Sequence, residues 1–386
     1  MEGYMNTKER KYYLDNIRWI TVVLVMVYHV VYIFNSQGVL SNFGVQGIKL
    51  LDGFLYIVYP WFMTILFVVA GISAKYALRN RTNKEFLKDR FKRLFVPSIF
   101  VTLLFGWFCG WVSDYYSDIF QGNGDQIPGV IKYFIYSVSG QGPVWFAREL
   151  FFAAVILVIV RKIDKKKKLD ALCDNMKWWG FLLLFLSFWG SSFLLNTPLI
   201  EVYRNGIYWN CFLMGYYIFS NEKHLEVLEK AKKVLVPGAV LCAVGYYVYI
   251  RLVIEPQATD NILTTVAYTS KSVLQHPFTN IFAWVTILAV FSVARRYLNF
   301  HNGFSSYMTK ANFGYYILHY PCLVFVAFFV LEKAGLSIGA CYVVNLFGMI
   351  ILTTILYNII SRIPVIRALT LGIYQRGKKD AGQGSH

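Results

Sequence analysis

Ten long apolar runs, separated by short gaps whose basic content rises and falls in alternation, constrain this chain more than any other feature. A helix needs roughly 20 mostly apolar residues to cross ~30 Å of hydrocarbon. The runs lie at 17–34, 54–77, 94–112, 144–160, 178–195, 204–219, 234–252, 277–294, 313–331 and 338–360. The gap after the second run reads LRNRTNKEFLKDRFKR, and that after the fourth reads RKIDKKKKLD. The sixth gap carries Lys223, Lys230, Lys232 and Lys233, the eighth Arg295, Arg296 and Lys310, and the tail Arg362, Arg367, Arg376, Lys378 and Lys379. Odd-numbered gaps hold little beyond Lys49, Lys132, Lys271 and Lys333, with Arg204 and Arg251 at run edges. Since Lys and Arg mark cytoplasmic loops, the pattern predicts an all-α, polytopic membrane bundle. It should have about ten transmembrane helices and both termini in the cytoplasm.

Composition excludes the competing classes. With 57% hydrophobic and 15% charged residues, the chain cannot cover a water-exposed surface. The net charge of +17 sits in the gaps, so it implies contact with anionic membrane lipid and not with nucleic acid. Six cysteines show no CxxC or Cys/His spacing, so no metal site is expected. The polar start through Asn16 leads into the first run without a cleavage signal, which predicts a retained helix. A single domain is expected over 1–375, with a short disordered cytoplasmic tail at 376–386. The longest outward segment, 113–143, has room for a partial lid or acceptor site, with a short interfacial or re-entrant helix at 129–139.

Few polar residues interrupt the runs. Arg18 stands at the inner end of the first, and His29 follows eleven residues later, about 16 Å along the helix and on the same face. An imidazole near mid-membrane is costly unless it meets a cavity or a partner. Histidine can take a proton from a hydroxyl and return it to a leaving group, or carry an acyl group itself. A packed histidine bonded to a neighbouring helix is the plain alternative. Arg90 and Arg93, three apart before the third run, could grip a phosphate or diphosphate from one face, although a basic loop needs no ligand. Arg148 and Glu149 open the fourth run after Gly142-Pro143-Val144-Trp145-Phe146. Glu149 could orient His29 or an acceptor hydroxyl, or simply form an ion pair. His319 lies a third of the way into the ninth run, beside Pro321, which removes a backbone donor. Arg204 reads as an interfacial residue whose charge reaches toward water.

Taken in order, these pieces resemble acyltransferase family 3, membrane proteins that include bacterial O-acyltransferases of surface and periplasmic glycans. The resemblance rests on Leu14-Asp15-Asn16-Ile17-Arg18 with His29, on Arg90, Arg93 and Pro97, on Gly142–Phe146, and on Tyr316, His319 and Pro321. It covers nearly the whole chain. Trp19 replaces the usual glycine after the first motif, and no C-terminal transferase extension is expected. The resemblance implies a multi-pass enzyme of the plasma (inner) membrane. It would move an acyl group, most often acetyl, from cytoplasmic acyl-CoA to a hydroxyl of an extracytoplasmic carbohydrate. Arg18, Arg90 and Arg93 would hold the donor, and His29, Glu149 and His319 would form the catalytic set. A transporter or flippase of a glycan or lipid-linked intermediate is the alternative, although the internal repeats common in transporters are not evident.

Overall fold

A computed structural model describes residues 11–37, 47–195, 204–257, 267–331 and 334–374, and every regular element among them is helical. In chain order these are α1 (Tyr12–Ile33), α2 (Lys49–Ala77), α3 (Asn83–Ser117), α4 (Gly129–Ser139), α5 (Gly142–Ile163), α6 (Lys168–Asp174) and α7 (Gly180–Ser191). There follow α8 (Asn205–Met214, continued by a wider turn Gly215–Phe219), α9 (Glu222–Lys230), α10 (Lys232–Gln257), α11 (Lys271–Gln275) and α12 (Pro277–Tyr297). The last are α13 (Gly303–Leu331), α14 (Ile338–Arg362) and α15 (Pro364–Leu371). The expected tail at 376–386 lies outside the described residues.

Among the described residues eight helices are long and apolar enough to cross a membrane: α1, α2, α3, α5, α10, α12, α13 and α14; the expected ten include the shorter α7 and α8. The fifth and sixth runs fall short. α7 has 12 residues, about 18 Å of helix, and at its end the Ser191 hydroxyl turns back to bond the Phe188 carbonyl at 2.6 Å. α8 is diluted by Asn205, Asn210 and a Tyr216–Tyr217 pair. An apolar run overstates a helix when its edges are turn residues.

Hydrogen bonds and ion pairs gather the basic gaps at one end. Lys11 and Arg295 both reach Glu222, the latter at 3.6 Å, and Lys75 meets Asp170 at 2.5 Å. Asn16 Nδ2 donates to the carbonyls of Leu298 and Phe300 at 2.6 and 2.7 Å. The sparse gaps meet at the other end, where Trp189 donates to the Gln275 carbonyl at 3.0 Å and Tyr342 to that of Phe34 at 2.8 Å. Local signals start the helices. Thr82 and Glu85 form a capping box before α3, and Asn302 with Ser305 forms another before α13.

Inside α3, Phe91–Phe95 and Thr102–Gly106 are wider i→i+5 turns. Pro97 cannot donate, so the ladder just before it must rearrange. The Lys92 carbonyl is taken up instead by the Tyr374 hydroxyl at 3.0 Å, from the chain following α15. The expected short helix at 129–139 is present as α4, and it packs on the second half of α3. Gly106 and Gly110 permit that approach, because a Cβ on either would overlap the carbonyl oxygens of Ser137 and Tyr136. α2 and α8 make another close backbone contact. A Cβ on Gly71 would overlap the Phe212 carbonyl, and one on Gly215 would overlap that of Val68.

Candidate active site

α1 and α13 pack side by side, both starting at the basic end. Along α13, Asn312, Tyr316 and His319 are spaced i, i+4, i+7, so they share one face. Along α1, Arg18, Val22 and His29 do the same. These two faces bring His29 and His319 together: His29 Nδ1 lies 3.2 Å from His319 Nε2. His29 Nδ1 also lies 2.8 Å from the Val25 carbonyl, and His319 Nδ1 lies 3.1 Å from that of Tyr315. A carbonyl only accepts, so both Nδ1 atoms carry the proton. His319 then accepts at Nε2 from His29, and Nε2 of His29 is left as the basic nitrogen of the pair. His319 is fully buried, whereas His29 is half-buried. The rings of Tyr28, Tyr32 and Tyr320 surround His29, with centroids 5.4 to 6.5 Å away. Pro321, which removes a backbone donor beside His319, sits within an uninterrupted helical stretch Gly303–Val326.

A cavity of about 970 Å³ opens at the basic end, at the upper limit of ordinary small-molecule sites. Lys11, Arg18, Arg79 and Arg90 give its mouth and wall positive charge; Val22, Leu66, Ala70 and Phe212 make it apolar further in. Arg18 is set by Asp15 and Ser73, at 3.2 and 2.8 Å. The cavity ends at Phe146 and Tyr316, whose ring centroids are 5.2 Å apart. Tyr316 is fixed by donating to the Pro143 carbonyl at 2.6 Å, and its ring lies 6.1 Å from that of His319. One aromatic pair therefore separates the charged cavity from the histidines.

The structure divides the remaining expected residues. Arg90 lines the cavity with Arg18, its guanidinium 5.1 Å from the Phe86 ring. Arg93 does not join it. Arg93 pairs with Asp89 at 2.8 Å in a neighbouring surface groove that Arg90 also lines. Glu149 is buried, but its Oε2 accepts from Trp209 Nε1 at 2.7 Å, and His319 occupies the partner's place beside His29. Arg148 is buried too, 3.5 Å from the Thr102 hydroxyl.

Sequence reasoning missed Asn312, Ser73 and Trp209. Asn312 lines the cavity with its Oδ1 lacking a hydrogen-bond partner. Its i, i+7 relation to His319 was a signal available beforehand; Ser73 and Trp209 offered none, since their importance lies in contacts across helices. Arg204, expected at the interface, is only 2% exposed. Its burial follows from a bond to the Pro60 carbonyl at 2.9 Å, at the break between the Lys49–Val58 and Phe62–Ala77 halves of α2.

Residues 11–363 match the family model described as an acyltransferase domain, acyltransferase 3. No curated protein and no solved structure matches the chain.

Proposed function

Because the chain belongs to the acyltransferase 3 family and is a multi-pass membrane acyltransferase, we propose that it moves an acetyl group from cytoplasmic acetyl-CoA to a hydroxyl of an extracytoplasmic carbohydrate. In this reading the basic end and both termini face the cytoplasm of a cell whose plasma membrane holds the protein. The observation that carries the reading is the cationic cavity leading to within one aromatic pair of the paired histidines.

The donor's phosphates bind Arg18 and Arg90, whose guanidinium groups suit oxyanions. The pantetheine arm follows the apolar wall between Val22 and Phe212. Its thioester reaches His29 when Phe146 and Tyr316 part. His29 Nε2 takes the proton of the attacking hydroxyl, and the new C–O bond forms as the C–S bond breaks. The thiolate leaves and takes that proton. His319, accepting from His29 Nδ1–H, orients the ring and supports the charge on it during the step. Glu149 serves as a fixed wall charge near the acceptor, held by Trp209.

The test uses the full chain in lipid nanodiscs with acetyl-CoA and an acceptor sugar, following release of free CoA. Arg90→Gln is expected to raise the donor KM by about tenfold to a hundredfold, the worth of a charge-assisted bond. Arg93→Gln should stay within about twofold, since Arg93 is exposed and its charge is spent on Asp89. Equal effects of the two variants, or a donor KM indifferent to Arg90, would remove the donor site. Loss of an acetyl mass from the envelope polysaccharide of deletion cells would identify the acceptor.

A further inference from the structure

α8 begins at Arg204 and ends beside Ser220, which lines the donor cavity. Sixteen residues of helix put Arg204 roughly 24 Å from Ser220, at the sparse end of the bundle. It is the N-cap of α8, yet its side chain makes no capping bond.

The guanidinium is held on one side only. Nη1 donates to the Pro60 carbonyl, and the guanidinium carbon lies 5.8 Å from the Tyr208 ring. Among the described residues, Nε and Nη2 have no hydrogen-bond partner. Those two nitrogens form the edge of the fork that grips a carboxylate or phosphate through two parallel bonds. The adjacent Asn205 is fully buried, and among the described residues both its amide nitrogen and its amide oxygen lack partners. A buried cation with two empty donors is costly in a low-dielectric interior. Here it stands beside a buried amide that can both donate and accept, at the positive end of a helix.

This place connects to the chemistry. Tyr59, next to Pro60, packs on Tyr28 and Tyr268 with centroids 6.2 and 5.4 Å apart. Tyr28 bonds Tyr268 through their hydroxyls at 2.8 Å, and its ring adjoins that of His29. Aromatic rings and phenol hydroxyls of this kind suit sugar faces and sugar hydroxyls.

We propose that Arg204, with Asn205, binds an oxyanion carried by the acceptor, so that the acetylated carbohydrate is an acidic one bearing a carboxylate or a phosphate. The inference deepens the function proposed above and rests on it for the word acceptor, but not for the anion site itself. The oxyanion takes the Nε–Nη2 edge, Asn205 reads a neighbouring hydroxyl, and the tyrosines lead the ring toward His29.

The test measures ligand-dependent thermal stabilisation of the full chain in phosphatidylcholine nanodiscs, with glucuronate, inorganic phosphate or glucose added. Glucuronate or phosphate, but not glucose, should stabilise the wild type, and Arg204→Gln should abolish the effect. Arg204→Lys keeps the charge but loses the fork, and should weaken binding about tenfold; it serves alone should Arg204→Gln fail to fold. Stabilisation by glucuronate assigns a carboxylate, and by phosphate alone a phosphoryl group. No stabilisation by either anion, or an effect that persists unchanged in Arg204→Lys, overturns the proposal. So does Arg204-dependent stabilisation by phosphatidylglycerol nanodiscs with none by the soluble anions, which makes the ligand a lipid headgroup. CoA release is followed in parallel. Anion binding through Arg204 without acetyl-CoA consumption leaves the anion site standing and removes the donor assignment.

Discussion

Replacing His29 by alanine is expected to lower the rate of acyl transfer about a thousandfold, in the middle of the range for a positioned general base. The donor KM should change by less than about twofold, because His29 lies beyond the aromatic floor of the donor cavity. The pairing makes a second and sharper expectation. His319→Gln keeps a group able to accept from His29 Nδ1–H, whereas His319→Leu leaves that proton to the Val25 carbonyl alone. Turnover should therefore fall in the order wild type, His319→Gln, His319→Leu, with His29→Ala lowest. Initial rates of CoA release at saturating donor measure this. Full activity in His29→Ala would end its assignment as the base, whatever His319 did.

The other large effect concerns folding and not chemistry. Gly215→Leu should cost about 3 kcal/mol or more, at the upper end for overpacking, because the obstacle is the Val68 carbonyl and not a movable side chain. α2 and α8 form adjoining walls of the donor cavity through Leu66, Ala70 and Phe212, so a wedge between them should also widen it. The expected result is little monodisperse protein after extraction. Gly190→Leu, at a position where a Cβ meets nothing within 4 Å, is the matched control and should extract normally. Equal yields of the two variants would show that the backbone contact at Gly215 is not needed.

What could be read beforehand follows from where each cause lies. His29 was legible because a single imidazole in an apolar run is costly whatever surrounds it. His319 was legible only as a candidate. That the two rings touch depends on α1 packing against α13 across 290 positions of sequence, which no local pattern encodes. Arg90 and Arg93 looked alike because i and i+3 share a face in an α-helix. Both do line one surface groove, and only Arg90 also reaches the cavity. Arg204 stood at the edge of a run, where charges usually reach water, and only the broken α2 beside it shows why this one does not. The fifth and sixth runs show a similar limit: the serines closing the one and the asparagines in the other shorten, among the described residues, the regular helix that hydropathy alone would draw.

The 12-residue α7 has a consequence for the surrounding lipid. Leu182, Leu183 and Leu186 are exposed on it, so acyl chains must wet this wall. It offers about 18 Å of height where neighbouring helices offer the full hydrocarbon thickness. Lipid beside such a wall pinches inward, at a cost of fractions of a kcal/mol per Å. Such thinning would fall on the flank where α7 meets α8, the helix that carries Trp209 and Arg204. A hydrophilic molecule that cannot dissolve in fat would thus have a shallower descent here than beside the longer described helices.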